Sequence, residues 1–348
     1  MRWPRVSIIL LNWNGWKDTI ECLESLYRVT YPNYDIIVVD NGSRDESIQK
    51  IKEYAEGKID VNSRFFMYNP YNKPIKVFEV NEDEARRGKF NRSLYEKYDV
   101  DKRLILIKNK DNYGFTGGNN VGIKFALSVL NPDYVLLLNN DTVVDKEFLI
   151  EMVKVAESND KIGIVGSKIY YYDYGGRSDV IWALGGGGIN LKTGRPWHYE
   201  INKIDEGKYN EIKECEYVTG CSMLIKRDIM MKLKGFDERY FAYYEDVDLS
   251  LRARNYGYIV TCSPFSKVWH KVGVTSGRDS IPFIVRIKAR NHVFLVKGHG
   301  DLFSLIIAVI WLLTYKHARR FVNFVFLQKN PRLLISYYKG IKEGLLGD

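Results

Sequence analysis

Cysteine is scarce in this sequence. Its 348 residues hold four, Cys22, Cys215, Cys221 and Cys262, widely scattered and never in paired Cys-x-x-Cys spacing. Neither a disulfide framework nor a zinc site is indicated, and buried free thiols are expected. A secretory leader is not expected: Met1 to Arg5 runs straight into a strand pattern, without an apolar stretch and small-residue cleavage site, so a cytoplasmic site is expected. Long apolar runs are short: Leu302 to Tyr315 falls below the roughly 20 residues that span a bilayer as a helix. Acidic charge is in deficit, with 52 Lys and Arg against 43 Asp and Glu and a net charge of +9. That balance favours anionic partners, whether phosphates, nucleic acid or acidic lipid, and does not choose among them.

What is present is a 45% hydrophobic chain, enough to bury a substantial core. Val6 to Leu11 and Ile36 to Val39 are short apolar runs, and Ile20, Leu23 and Leu26 between them have helical spacing. Further runs at Leu104 to Ile107 and Tyr134 to Leu138 flank a helical pattern at Val121 to Leu130. Alternating strands and helices predict an α/β fold, a mostly parallel central sheet flanked by helices. In such sheets ligands sit beyond the carboxyl ends of the strands. The residues there form a series: Asn12-Trp13-Asn14-Gly15, Asp40-Asn41-Gly42-Ser43, Asn112-Tyr113-Gly114-Phe115 and Asn139-Asn140-Asp141-Thr142. One such turn is ordinary; four in succession point to a site.

The organisation expected is one catalytic domain over residues 1–300, interrupted at about 62–102 by an insertion with a hairpin near Ile75 to Val80, and a helical tail over 301–348. The run Gly185 to Gly188 reads as a turn. Basic residues flank the apolar segments of 302–327, which suits a helix lying on an anionic membrane surface; a helix packed on the domain shows the same pattern.

Chemistry follows from residue types. Asp40, Asn12, Asn41 and Asn112 supply donors and acceptors for a base and ribose. Asp141 is placed to hold Mg²⁺ or Mn²⁺ against a diphosphate, since such ions need only one or two protein ligands. Glu245, Asp246 and Asp248 are three carboxylates entering a helix, whose N-terminus favours their charge; Asp246 is the candidate general base for an acceptor hydroxyl. His270 is a candidate second metal ligand, and Lys271 and Arg278 are placed to reach a diphosphate. No Gly-x-Gly-x-x-Gly follows the first strand, against a nicotinamide enzyme. The basic residues are dispersed, against a nucleic-acid module.

The segments Val6 to Leu26, Val38 to Ser47, Asn112 to Ile123, Leu136 to Asp145, Val218 to Arg254 and His270 to Gly277 resemble, in order, the inverting glycosyltransferases of family 2 with the GT-A fold, especially a rhamnosyltransferase-like branch. The resemblance implies a nucleoside-diphosphate sugar donor, with Asp40 at the base and Asn112, Gly114, Gly118 and Asn119 shaping the nucleotide pocket beside Asn12, Asn14, Asn41 and Asn140. It makes Asp141 the end of a metal motif whose first position is Asn139 rather than aspartate, His270 a metal ligand, Asp246 the base, and Gly220 and Asp237, with Glu245, part of the acceptor side. The acceptor implied is a glycan or lipid-linked glycan. A sugar nucleotidyltransferase and a catalytically silent sugar-nucleotide-binding protein are the alternatives.

Overall fold

The computed structural model describes residues 3–272 and 281–347. Its strands are β1 (Val6–Asn12), β2 (Tyr34–Asp40), β3 (Lys76–Asn81), β4 (Arg103–Lys108), β5 (Tyr134–Asn139), β6 (Thr142–Val144), β7 (Ile162–Tyr171), β8 (Ile181–Leu184), β9 (Gly186–Asn190), β10 (Arg195–His198), β11 (Tyr217–Val218), β12 (Ser222–Lys226) and β13 (Ile259–His270). The main sheet runs β3-β4-β2-β1-β5-β12-β7-β13-β6, with β8 on the side of β7. From β3 to β5 every pairing is parallel; β12 enters antiparallel between β5 and β7.

The parallel strands are apolar on both faces because helices cover both. Ile8, Leu10, Ile36 and Val38 pack under the helix Trp16–Leu26, whereas Ile9, Ile37, Val39 and Ile105 pack under the helix beginning at Gly114. At roughly 25 cal/mol per Å² of apolar surface, two such layers are the main source of stability.

Three sequence expectations change. The segment 62–102 carries no hairpin at Ile75 to Val80: Lys76–Asn81 is a parallel edge strand on β4, and Tyr95 beyond it is buried against Phe78 and Phe90. The glycine run is not a turn but mostly strand β9, sandwiched between β10 and β11. A Cβ on Gly186 would lie 1.9 Å from the Tyr217 carbonyl oxygen, and one on Gly187 1.7 Å from that of Trp197. The glycines are there for close backbone approach.

The tail differs in length. The apolar run and the patch after it join into one helix, Leu302–Leu327, of 26 residues, about 39 Å long. Among the described residues it is the one helix long and apolar enough to cross a membrane by length and composition. Ala308, Leu312 and Phe324 are buried on it, the last two in a small core with the helices Pro282–His299 and Arg332–Leu346; most of the remainder is exposed.

Candidate active site

Each parallel strand delivers its polar residue at its carboxyl end, and the loops there bind one another. Asn12 donates from Nδ2 to Asp40 Oδ1 (2.8 Å), and the Ser43 N–H donates to Asp40 Oδ2 (3.1 Å). Thr19 donates from Oγ1 to Asn12 Oδ1 (2.8 Å) and accepts from Asn140 Nδ2 (2.9 Å). A continuous relay thus links Asp40, at the end of β2, to the Asn139-Asn140-Asp141 turn after β5. Asn14 is left-handed (φ 51); its N–H donates to Ser43 Oγ and its Oδ1 accepts from the Arg44 N–H.

Asn41 was expected to face the donor, but its amide is saturated by protein. Nδ2 donates to Asn112 Oδ1 (2.9 Å) and the Gly114 carbonyl (3.0 Å), while Oδ1 accepts from Asn109 (3.0 Å) and the Tyr113 N–H (3.3 Å). Asn119 is buried and donates to the Phe115 carbonyl one turn back. These amides fix the loops rather than project from them. Gly118 fits for the same reason, since a Cβ would lie 2.5 Å from Leu11 Cδ1.

Asp141 lies between β5 and the short β6, which pairs with β13 so that Thr142 faces His270. That register sets Asp141 Oδ1 3.1 Å from His270 Nε2. The histidine is buried, and among the described residues neither ring nitrogen has a partner in hydrogen-bonding geometry. Burial alone would raise the Asp141 pKa, but the neighbouring imidazole outweighs it and holds the group below its ordinary value. For His270, burial pulls the pKa down and the Cys221 sulfur and Asp141 carboxylate more than offset it. A half-buried carboxylate beside a buried histidine with unmet nitrogens is a donor set for a hard divalent cation, whose remaining positions phosphate oxygens and water would fill. No larger cluster of such ligands occurs among the described residues.

The adjoining cavity, about 590 Å³, is lined by Asn139, Gly220, Glu245, Asp246 and His270, with Trp182 over the imidazole. The helix Glu245–Asn255 starts on its wall. Asp246 accepts from the Gly220 N–H at Oδ2 (3.0 Å) and from its following N–H, Val247, at Oδ1 (2.8 Å). Burial raises its pKa, and these N–H groups restrain the rise. Glu245 is more deeply shifted: burial and the charge of Asp246 push it well above its ordinary value, and among the described residues its Oε2 has no hydrogen-bond partner. The pair therefore ionises first at Asp246. Asp248, the third carboxylate, is bound to Arg252 (2.8 Å) and His299 (2.8 Å) and belongs to the scaffold.

The loop before this helix is held in an uncommon shape. Phe241, Tyr243 and Tyr244 have φ of 60, 71 and 75, left-handed values that cost about 1–3 kcal/mol each. The buried Asn291 amide spans the Tyr240, Ala242 and Tyr243 carbonyls (2.7, 2.8 and 2.9 Å). From the other side Gly114 (φ 71) fits against Phe241, whose carbonyl oxygen would sit 2.4 Å from a Cβ there.

Neither Asp40 nor Asp141 is among the residues that line the cavity, and two further expected residues are elsewhere. Asp237 does not line the cavity; it caps the turn Glu238–Tyr240 and pairs with Arg239 (2.5 Å). Lys271 is claimed by Asp18 and Glu21, both at 2.6 Å, and is not available to a phosphate. Arg278 and Gly273 to Gly277 lie outside the described residues. Sequence reasoning missed Trp182, His198, Tyr217, Lys288, Lys316 and Arg320 in the cavity wall; they stand on elements with no motif, and only the basic flanks of the tail hinted at the last three.

Comparison with known proteins adds an independent line. The description "Glycosyl transferase family 2" matches residues 7–77, and "Glycosyltransferase like family 2" matches residues 70–291. A low-salt glycan biosynthesis hexosyltransferase of Haloferax volcanii is 27% identical over 157 residues, 43% of this chain and 46% of that protein. An N-acetylglucosaminyl-diphospho-decaprenol L-rhamnosyltransferase of Mycobacterium tuberculosis is 32% identical over 84 residues, 24% and 27% of the two chains. These matches span less than half the length of either relative. A mannosyltransferase of Pyrobaculum calidifontis, solved with GDP-mannose and Mn²⁺, superposes with a TM-score of 0.55 at 14% identity, covering 99% of this chain and 88% of that one. The shared architecture is the GT-A fold.

Proposed function

The chain belongs to glycosyltransferase family 2, and from that premise we propose that it moves a sugar from a nucleoside-diphosphate donor to an acceptor hydroxyl with inversion at the anomeric carbon. The observation supporting this reading is that Asp246 and His270 line one cavity, with Asp141 Oδ1 3.1 Å from His270 Nε2.

The acceptor hydroxyl loses its proton to Asp246 as its oxygen attacks the anomeric carbon and the bond to the diphosphate breaks. Gly220 and Val247 orient the carboxylate, while burial keeps it more basic than an exposed aspartate. Burial and the charge of Asp246 raise the pKa of Glu245 beside it. The relay from Asp40 through Asn12 and Thr19 to Asn140 holds the nucleotide-side loops in register with Asp141. Asp141 and His270 would hold Mn²⁺ or Mg²⁺, which when bound supplies charge neutralisation for the departing diphosphate. Asn139 in place of a first aspartate leaves one carboxylate in that motif, so metal affinity depends more heavily on the donor phosphates.

A dTDP-rhamnose or UDP-sugar donor and a glycan or lipid-linked glycan acceptor fit best, and the reaction would take place on the cytoplasmic side. The test is release of nucleoside diphosphate from a panel of sugar nucleotides with Mn²⁺ and acceptor. Release that needs both supports transfer; pyrophosphate formed from a nucleoside triphosphate would replace it with nucleotidyl transfer.

A further inference from the structure

Away from the catalytic cavity, β7 and β13 run parallel with Lys168 beside Lys267 and Tyr170 beside Trp269. Side chains alternate along a strand, so these four share one face and His270 belongs to the other. Their face borders a cavity of about 560 Å³, also lined by Asp205, Asn210 and Phe265, which shares no lining residue with the catalytic one.

A lysine is rarely buried unless its charge is paired. Lys168 is 1% exposed, and its ammonium donates to Asp205 Oδ2 (2.7 Å), which also accepts from the Tyr170 hydroxyl (2.5 Å); the Gly207 N–H donates to Oδ1 (3.0 Å). An ammonium has three donors, and among the described residues Asp205 is the one hydrogen-bond partner of this one. Tying β7 to the Asp205 loop uses a single donor, and the others remain at the wall of a cavity. Aromatic rings stand beside them. Trp269 stacks on Phe65 (4.4 Å between centroids) and on Tyr170 (6.1 Å), which stiffens the wall, and Phe265 is 52% exposed. Two lysines and two aspartates, Asp179 and Asp205, line the cavity, so their charges balance.

We propose that this cavity is a second ligand site and that it holds a neutral saccharide. A sugar hydroxyl donates and accepts at once, which matches an ammonium with donors to spare beside a carboxylate. The C–H face of a sugar ring suits the negative face of an aromatic ring, which Phe265 offers. A phosphate or carboxylate ligand would meet Asp179 and Asp205 as well as the lysines, and a purely apolar one would leave the Lys168 donors unmet. The volume falls within the roughly 300–1,000 Å³ of small-ligand sites. Trp269 lines this cavity and His270 the catalytic one, so a glycan held here stays close to the catalytic cavity, on the other face of β13. Binding needs no transfer chemistry and stands apart from the transferase reading.

The experiment is titration of the full chain with maltotriose, mannotriose and triacetylchitotriose, followed by saturation-transfer NMR, with Mn²⁺ and a saturating nucleoside diphosphate present to occupy the donor site. Nucleotide affinity is measured in parallel. At least one trisaccharide is expected to bind. Lys168→Met should weaken that binding by about tenfold or more and Phe265→Ala by about threefold or more, both with nucleotide affinity unchanged. Because Phe265 is exposed, its variant decides the outcome where Lys168→Met does not fold. Binding unchanged in Phe265→Ala, or in a folded Lys168→Met, lies elsewhere on the chain and overturns the proposal. Binding of none of the three overturns it as well, as does tri-galacturonic acid binding more tightly than every neutral trisaccharide.

Discussion

The two sides of the site are built on opposite principles. On the strand-end side, Asn12, Asp40, Asn41 and Asn112 are joined to one another by hydrogen bonds, and the loops are rigid before any ligand arrives. On the opposite side, Glu245 and His270 are buried with atoms that have no hydrogen-bond partner among the described residues, three residues are left-handed, and cations converge on a cavity. A saturated network can position a ligand but has little left to react with. The unmet groups and strained backbone lie where chemistry needs them, and the scaffold bears their cost.

That contrast can be broken by mutation. Asp246→Asn should cut kcat by about a thousandfold, within the range for loss of a general base, and leave donor affinity within a few-fold in nucleotide titrations; a comparable fall in donor affinity would move Asp246 to the binding side. Asp141→Ala should weaken Mn²⁺-dependent donor binding by at least about tenfold, since even outer contacts to metal ligands carry that much; an unchanged Mn²⁺ titration removes it from the site. Asn291→Ala, which removes the side-chain donor shared by three loop carbonyls, should cost about 1–3 kcal/mol in denaturant unfolding and lower kcat more than it raises the donor KM. Thr19→Val, which cuts the relay, should do the reverse and raise the donor KM.

The smallest effect sharpens the picture through pH. Because Asp246 acts ionised and its pKa is raised, kcat should fall as pH drops through that raised value, with the acid limb above the ordinary aspartate value of about 4. Glu245→Gln should leave this limb nearly in place and change turnover only a few-fold, because burial and the Asp246 charge already hold the Glu245 pKa well above its ordinary value. A limb at about 4 in the wild type would contradict the burial argument.

The same contrast explains what could be read from the sequence. Asn12, Asp40 and Asn139 each end their strand, so adjacency in sequence is adjacency in space, and the parallel sheet with its polar edge was legible from apolar runs followed by turns. The meeting of Asp141 with His270 depends on β6 crossing to β13, a pairing that no spacing encodes. Lys271 was misjudged because its partners, Asp18 and Glu21, sit on the first helix, far away in sequence. Asp237 has its partner two residues on, a hint that local reading had available. The glycines of β9 show the converse error, since a run that signals a turn in isolation marks close approach when strands lie on both sides.

The clamp made by Asn291 has a bearing on biogenesis. Translation delivers the strand-end loops first, and they can close on one another while the ribosome is still at work. The carbonyls around Tyr243 receive their donor only when the helix Pro282–His299 has emerged. A nascent chain would therefore close the strand-end network well before the loop leading into Asp246 is clamped.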